Sequence, residues 1–130
     1  MASLNLGNVG DVRQIGTLDL VLTLNSICER IDELERELRT QSATAAAAEH
    51  CYRKAKAMKF CECQGSAAHR EAQVMADKVV AEAHLEHLMT AQAVAVTRDA
   101  MFAARAQLSA FQSVAHAVRA EIELAGKGPR

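Results

Sequence analysis

The sequence predicts an all-α protein: a long antiparallel helical hairpin of coiled-coil type, assembling as a dimer into a four-helix bundle. Three observations lead there. Helix breakers are confined to the ends and to one internal position, since the single proline is Pro129 and Gly65 is the one glycine between Gly16 and Gly126. Half of the residues are hydrophobic, much of that half is alanine, and aromatics make up only 3% (Tyr52, Phe60, Phe102 and Phe111). Alanine is the best helix former but fills little volume, so this composition suits long thin helices better than a thick core. Finally, a heptad seam lies on each side of Gly65.

The segment 1–16, "MASLNLGNVGDVRQIG", is a glycine-punctuated arm in which Leu4, Leu6, Val9, Val12 and Ile15 are weakly spaced apolar residues. It is either a free arm or a segment that folds back. Thr17 suits the N-cap of the first helix, predicted over 17–63, and Asp19 suits its first turn through the macrodipole. Leu20, Leu24, Ile27, Ile31, Leu34 and Leu38 follow spacings of 4, 3, 4, 3 and 4, which is a coiled-coil seam. Acid-first pairs four apart, Asp32 with Arg36 and Glu35 with Arg39, favour helix on the outer face. Large apolar residues then vanish in "TQSATAAAAEH", Thr40 to His50. Nothing there breaks a helix, so a continuous helix with a thin waist is expected. Tyr52, Met58 and Phe60 restore bulk beyond it.

"QGS", residues 64–66, is the predicted turn. Gly65 suits the left-handed position after a helix, and Ser66 suits the N-cap of the next. A single second helix is expected over 67–125, with a seam of Val80, Ala83, His87, Val94, Met101, Ala104, Leu108, Phe111, Ala115, Val118, Ile122 and Ala125. Thr90 and Thr97 interrupt that seam. Gly126 to Arg130, the tail 126–130, ends it. At 1.5 Å per residue the two helices extend roughly 70 and 90 Å.

A reversal at Gly65 pairs residues whose numbers add to about 130, given a short connection between helices. Arg53, Lys54, Lys56 and Lys59 then face Glu71, Asp77, Glu82 and Glu86 in a ladder of cross-helix ion pairs. Val114, Val118 and Ile122 are left without a partner inside the hairpin. A two-helix hairpin buries only one stripe per helix, so these three residues are expected to form an oligomer interface.

Several function classes are disfavoured. Fifteen basic and 16 acidic residues give a net charge of −1, unlike a dedicated nucleic-acid binder. No apolar run approaches the 18 or so residues of a membrane span, and the start lacks the pattern of a signal peptide. Four cysteines in such a chain suggest free thiols in a reducing cytosol. The stretch "FCECQGSAAHREA" invites a metal reading, but Cys61 and Cys63 two apart on a helix diverge around its axis, and Cys51 and His69 lie elsewhere. Cys61 or Cys63 is expected to pack near the bend, and Cys28 to pack beside the leucine seam. His84 and His87 share a face, but the strip expected opposite them is alanine, which offers no further ligand. No catalytic triad, phosphate loop or pocket wall is legible, so the expectation is no enzyme, no metal and no cofactor. The run "YRKAKAMK" leaves Arg53, Lys54, Lys56 and Lys59, with Arg70, as candidate phosphate contacts.

The segments "TLDLVLTLNSICERIDELERELR", "ATAAAAEHCYRKAKAMKF" and "GSAAHREAQ" cover about residues 17–75. In them the chain resembles a group of uncharacterised alanine-rich helical-hairpin proteins of actinobacteriophages, often encoded near recombination and replication genes. The resemblance makes Tyr52, Lys56, Gly65, Arg70 and Glu71 signature positions. His69 stands where the group has Glu, which weakens the capping box with Ser66. The functional expectation is a homo-oligomeric phage protein in the host cytoplasm. It would bind an unidentified phage or host protein, as an accessory to DNA replication or recombination. Direct nucleic-acid binding and a small structural part of the virion are the alternatives.

Overall fold

The computed structural model describes residues 16–127. The expected arm therefore lies outside the described residues except for Gly16, and the tail except for Gly126 and Lys127. Three helices follow one another: α1 (Thr17–Glu62), α2 (Ala67–Ala76) and α3 (Lys78–Gly126). The protein is all-α, and the long α1 packs antiparallel against the long α3, as in a hairpin.

Helix α1 runs unbroken for 46 residues, straight through the alanine waist. Local bonds reinforce it there. Thr40 and Thr44 donate their hydroxyls to the carbonyls of Arg36 and Thr40, at 3.3 and 3.1 Å, and Gln41 donates to Glu37 at 3.1 Å. At its start the Gly16 carbonyl accepts from the Leu20 N–H at 3.1 Å, so the cap position falls on Gly16 rather than on Thr17.

The reversal is built from three side chains and one glycine. Gly65 has φ 114, a conformation that L side chains avoid, and a Cβ there would lie 3.0 Å from His69 Cδ2. Ser66 caps α2 as expected. Its Oγ accepts from the His69 N–H at 3.3 Å and its carbonyl from the Arg70 N–H at 2.9 Å. Arg70 then reaches back to the end of α1. Its Nε and Nη2 donate to the Phe60 carbonyl at 3.2 and 2.7 Å, and its guanidinium lies 3.9 Å from the centre of the Phe60 ring. One of the last carbonyls of α1, which the helix itself leaves without a donor, is thereby satisfied.

The second helix departs from the expected single segment 67–125. It is two helices, interrupted at Asp77, which is extended at φ −69 and ψ 131. The cause is the capping power of aspartate. Asp77 Oδ2 accepts from the Val80 N–H at 3.1 Å, and its carbonyl accepts from the Ala81 N–H at 2.9 Å. Its own N–H closes α2 by donating to the Val74 carbonyl at 3.2 Å. Lys59 Nζ lies 3.5 Å from Oδ1, tying this cap to α1.

Because α2 takes up chain before α3 begins, the register differs from that of a simple reversal at Gly65. Gln41 meets Thr97 rather than Met89, Tyr52 meets His84 and His87 rather than Lys78, and Lys59 meets Asp77 rather than Glu71. The expected ladder of ion pairs changes with it. Lys59–Asp77 crosses between helices, whereas Arg53 pairs with Glu49 and Lys78 with Glu82, each along its own helix.

The helices divide into two compact units. In the unit 34–101, Leu34, Ala48, Val94, Thr97 and Met101 are buried. Cys63, Val74 and Val80 form a buried cluster, and Tyr52, Ala55 and Phe60 pack against it. In the other unit, which pairs residues 16–33 with 102–127, Leu20, Ile27 and Phe111 form the core. Leu24, Ile31, Leu108, Val114 and Ala115 pack around them. Both predicted seams are thus the buried ones in their main part. Val114, expected to lack an intrachain neighbour, has one because of the changed register. Val118 is half-buried, while Ile122 and Ala125, at the end of the expected seam, are exposed.

Two outcomes follow for stability. Gly65→Ala forces a side chain into a positive-φ position and should lower the unfolding free energy by about 1–2 kcal/mol. Gly126→Ala, where an added Cβ meets nothing within 4 Å, should change it little. Chemical denaturation followed by circular dichroism compares the two. The second outcome concerns acid. The Val80 N–H chiefly, with the Lys59 charge beside it, holds the Asp77 carboxyl below its ordinary 3.8 despite partial burial. Since the folded value lies below the unfolded one, ionised Asp77 stabilises the fold above pH 3.8, and this contribution is lost as pH falls below 3.8 through the folded value. Asp77→Asn keeps a capping oxygen but cannot titrate, so its melting temperature should fall less across that window than that of the wild type.

Candidate interaction surface

Within the unit 34–101, the inner seam changes character along its length. Near the turn it is apolar, through Cys63, Val74 and Val80. One step further in, the phenol of Tyr52 on α1 stacks against two imidazoles on α3. The His84 ring lies 4.7 Å away at 17°, and the His87 ring lies 5.7 Å away at 8°. Lys56 Nζ sits 5.9 Å from the centre of the same phenol ring. His87 Nδ1 is buried without a hydrogen-bond partner among the described residues. The two histidines were expected to face alanine; the shifted register sets them against Tyr52 instead. Deeper still, Thr97 is buried and donates its hydroxyl to Gln41 Oε1, so the thin waist contains a polar bond rather than a void.

The sequence-predicted site residues are distributed as follows. Of the candidate phosphate contacts, Arg70 is engaged on Phe60 and Lys59 on Asp77, with Glu62 3.9 Å away. Arg53 binds Glu49 at 2.6 Å while remaining 76% exposed. Lys54 and Lys56 are exposed. The five therefore do not form one continuous strip of available charge. Cys63 packs in the core, whereas Cys28, expected to pack, is exposed together with Cys51 and Cys61. His69 contacts Gln73 at 2.8 Å through Nε2. Among the described residues, no three His, Cys, Asp or Glu side chains are grouped so as to hold a metal ion. A shallow depression lined by Ala46, Glu49, His50 and Arg53 draws on α1 alone, so no second element walls it.

The feature that sequence reasoning passed over is the outward face of α3. Leu85, Leu88, Met89 and Val96 are each more than half exposed, at 59, 52, 59 and 57%. They lie three, four and seven apart, on the side turned away from Val80, Val94 and Met101. No charged residue occurs from His87 to Thr97, nor on α1 from Thr40 to Ala48. A surface helix usually keeps a polar outer face; this one sets four large apolar residues there over three turns, with Gln92 as the polar residue among them. The signal was present in the sequence, as a second set of apolar positions out of phase with the seam. It was masked because the seam accounted for the helix on its own.

No family model, curated protein or solved structure matches the chain. No helix among the described residues is long and apolar enough to cross a membrane.

The thiols offer a direct check on this arrangement. A chromogenic disulfide reagent added to the native protein should titrate three thiols rapidly. The fourth, Cys63, which is 9% exposed, should react about tenfold more slowly or worse, and at full speed in denaturant. Four equally fast thiols in the native state would contradict the packing of Cys63 beside Val74 and Val80.

Proposed function

We propose that this chain is a non-enzymatic helical-hairpin protein that works by protein–protein contact, as an accessory to DNA replication or recombination in a phage-infected host cytoplasm. The observation that carries the contact reading is the apolar outer face of α3, formed by Leu85, Leu88, Met89 and Val96 and left in water where no charge occurs from His87 to Thr97. Contiguous exposed apolar residues of this kind cost free energy in isolation and mark surfaces that a partner covers. The resemblance of residues 17–75 to alanine-rich hairpin proteins of actinobacteriophages supports the biological setting. The engagement of Lys59, Arg70 and Arg53 within the chain favours a protein partner over direct phosphate binding, because of the five candidate contacts only Lys54 and Lys56 are then outside an ion pair or hydrogen bond among the described residues.

The reading is tested by affinity capture from infected cells, with wild type and Leu88→Glu side by side. The exposed position tolerates the charge without loss of fold, so the variant should lose a protein that the wild type retains. Equal recovery with both removes the outer face from the account. Gel retention of single- and double-stranded DNA should be weak. Strong retention that falls steeply with salt would move the assignment to nucleic-acid binding.

A further inference from the structure

We propose that the outer face of α3 is covered by a second copy of the same chain, α3 against α3, the two helices running antiparallel across a two-fold axis between Leu88 and Met89. The inference rests on the contact reading above and names the occupant.

The layout of the face is the first argument. Lys78, Leu85, Gln92 and Asp99 follow at intervals of seven and form one column, on the side of α3 turned away from Val80, Val94 and Met101. Ala81, Leu88 and Ala95 flank this column on one side, and Glu82, Met89 and Val96 on the other; all ten residues are exposed. A two-fold contact brings the same patch of both copies together, so the patch must complement itself. With the axis between Leu88 and Met89, residues whose numbers add to about 177 come level. Leu88 then meets Met89 of the second copy at the centre. On either side Leu85 meets Gln92, and Val96 meets Ala81. The bulky side chains outside the centre thus fall opposite a flexible or a small one, and the two helices interdigitate without crowding.

Charge gives the second argument and sets the direction. Helix α1 packs against the opposite side of α3, so the charges bordering the face are those of α3 itself: Lys78, Glu82, Glu86, Arg98 and Asp99. In the antiparallel contact Lys78, at one end of the central column, comes level with Asp99 at the other end of the second copy's column, and this pair forms twice. Glu82 and Glu86 come level with Ala95 and Ala91, so no carboxylate is opposed by another. Arg98 stands about a quarter-turn around the helix from Asp99 and comes level with Val79. A parallel two-fold would instead set each of the five charges against its own copy. The two ends of the column are available for such a pair. Lys78 is 89% exposed, with Glu82 of its own helix 3.9 Å away, and the Asp99 carboxylate has no ion-pair partner among the described residues. The contact is thereby apolar at its centre and complementary at its two ends.

The test uses the full chain at tens of micromolar and low salt, with mass measured by light scattering during gel filtration. Wild type should elute near twice 14.0 kDa. Leu88→Glu should give a monomer of unchanged helical circular dichroism. Two charge variants supply a second readout. Lys78→Glu and, separately, Asp99→Lys should each raise the dimer Kd by about fivefold or more, because each opposes like charges at both ends of the contact. Mixed in equal amounts the two variants should pair again, as should a chain carrying both substitutions, because opposite charges then meet at both ends. A parallel dimer would lose no affinity with either single variant. A wild type that stays at 14.0 kDa overturns the inference, as does a dimer indifferent to Leu88→Glu or to both charge variants. A wild-type monomer that still captures a host or phage protein through Leu88 overturns the second copy while leaving the contact reading in place.

Discussion

The carboxylate of Asp77 sets which residue of α3 meets which residue of α1. It accepts the Val80 N–H at the start of α3 and stands 3.5 Å from Lys59 on α1. One side chain therefore begins a helix and anchors it to its neighbour at the same point. With α3 started there, Tyr52 falls against His84 and His87, and Gln41 against Thr97. Had the helix begun directly after Ser66, each of these pairs would have been replaced by others and the polar groups of the waist would have lost their partners. A partly solvated ion pair contributes little free energy. The contribution of this one is mainly to specify one arrangement among several that a repetitive, alanine-rich pair of helices would accept.

That need for specification comes from the composition. Alanine promotes the helix but distinguishes poorly between registers, because one methyl group packs much like the next. The chain compensates with a few positions that do not tolerate a shift. Phe111, 1% exposed among Leu20 and Ile27, is one. The Thr97–Gln41 bond is another, since sliding the helices would bury a hydroxyl without a partner. Arg70 on the Phe60 carbonyl holds the turn end in the same way. Tyr52, Gly65 and Arg70 each have a structural task here: a stacked ring, a positive-φ turn and a helix-end clamp.

Much of the fold was legible from the residues. The two seams, the turn at Gly65, the Ser66 cap and the continuity of α1 through the waist all follow from propensity and period, which act locally. The break at Asp77 did not emerge, although the residue type that causes it was in view. In the sequence Asp77 reads as a charge opposite lysines, and the absence of glycine and proline between Gly65 and Gly126 favours an uninterrupted helix. The register error followed from that single omission, and with it the expectation that Val114 had no neighbour. The outer face of α3 was hard to see for a different reason. Periodicity identifies the stripe that meets the partner helix, and a second stripe on the same helix reads as surface unless exposure is known.

The stacking of Tyr52 against two imidazoles of α3 has a practical side. The chain contains one tyrosine and no tryptophan. Its entire near-ultraviolet phenol emission therefore originates from a ring lodged between the two long rods. The molecule carries its own optical gauge, one that reports whether α1 and α3 are in contact without any dye or label being attached.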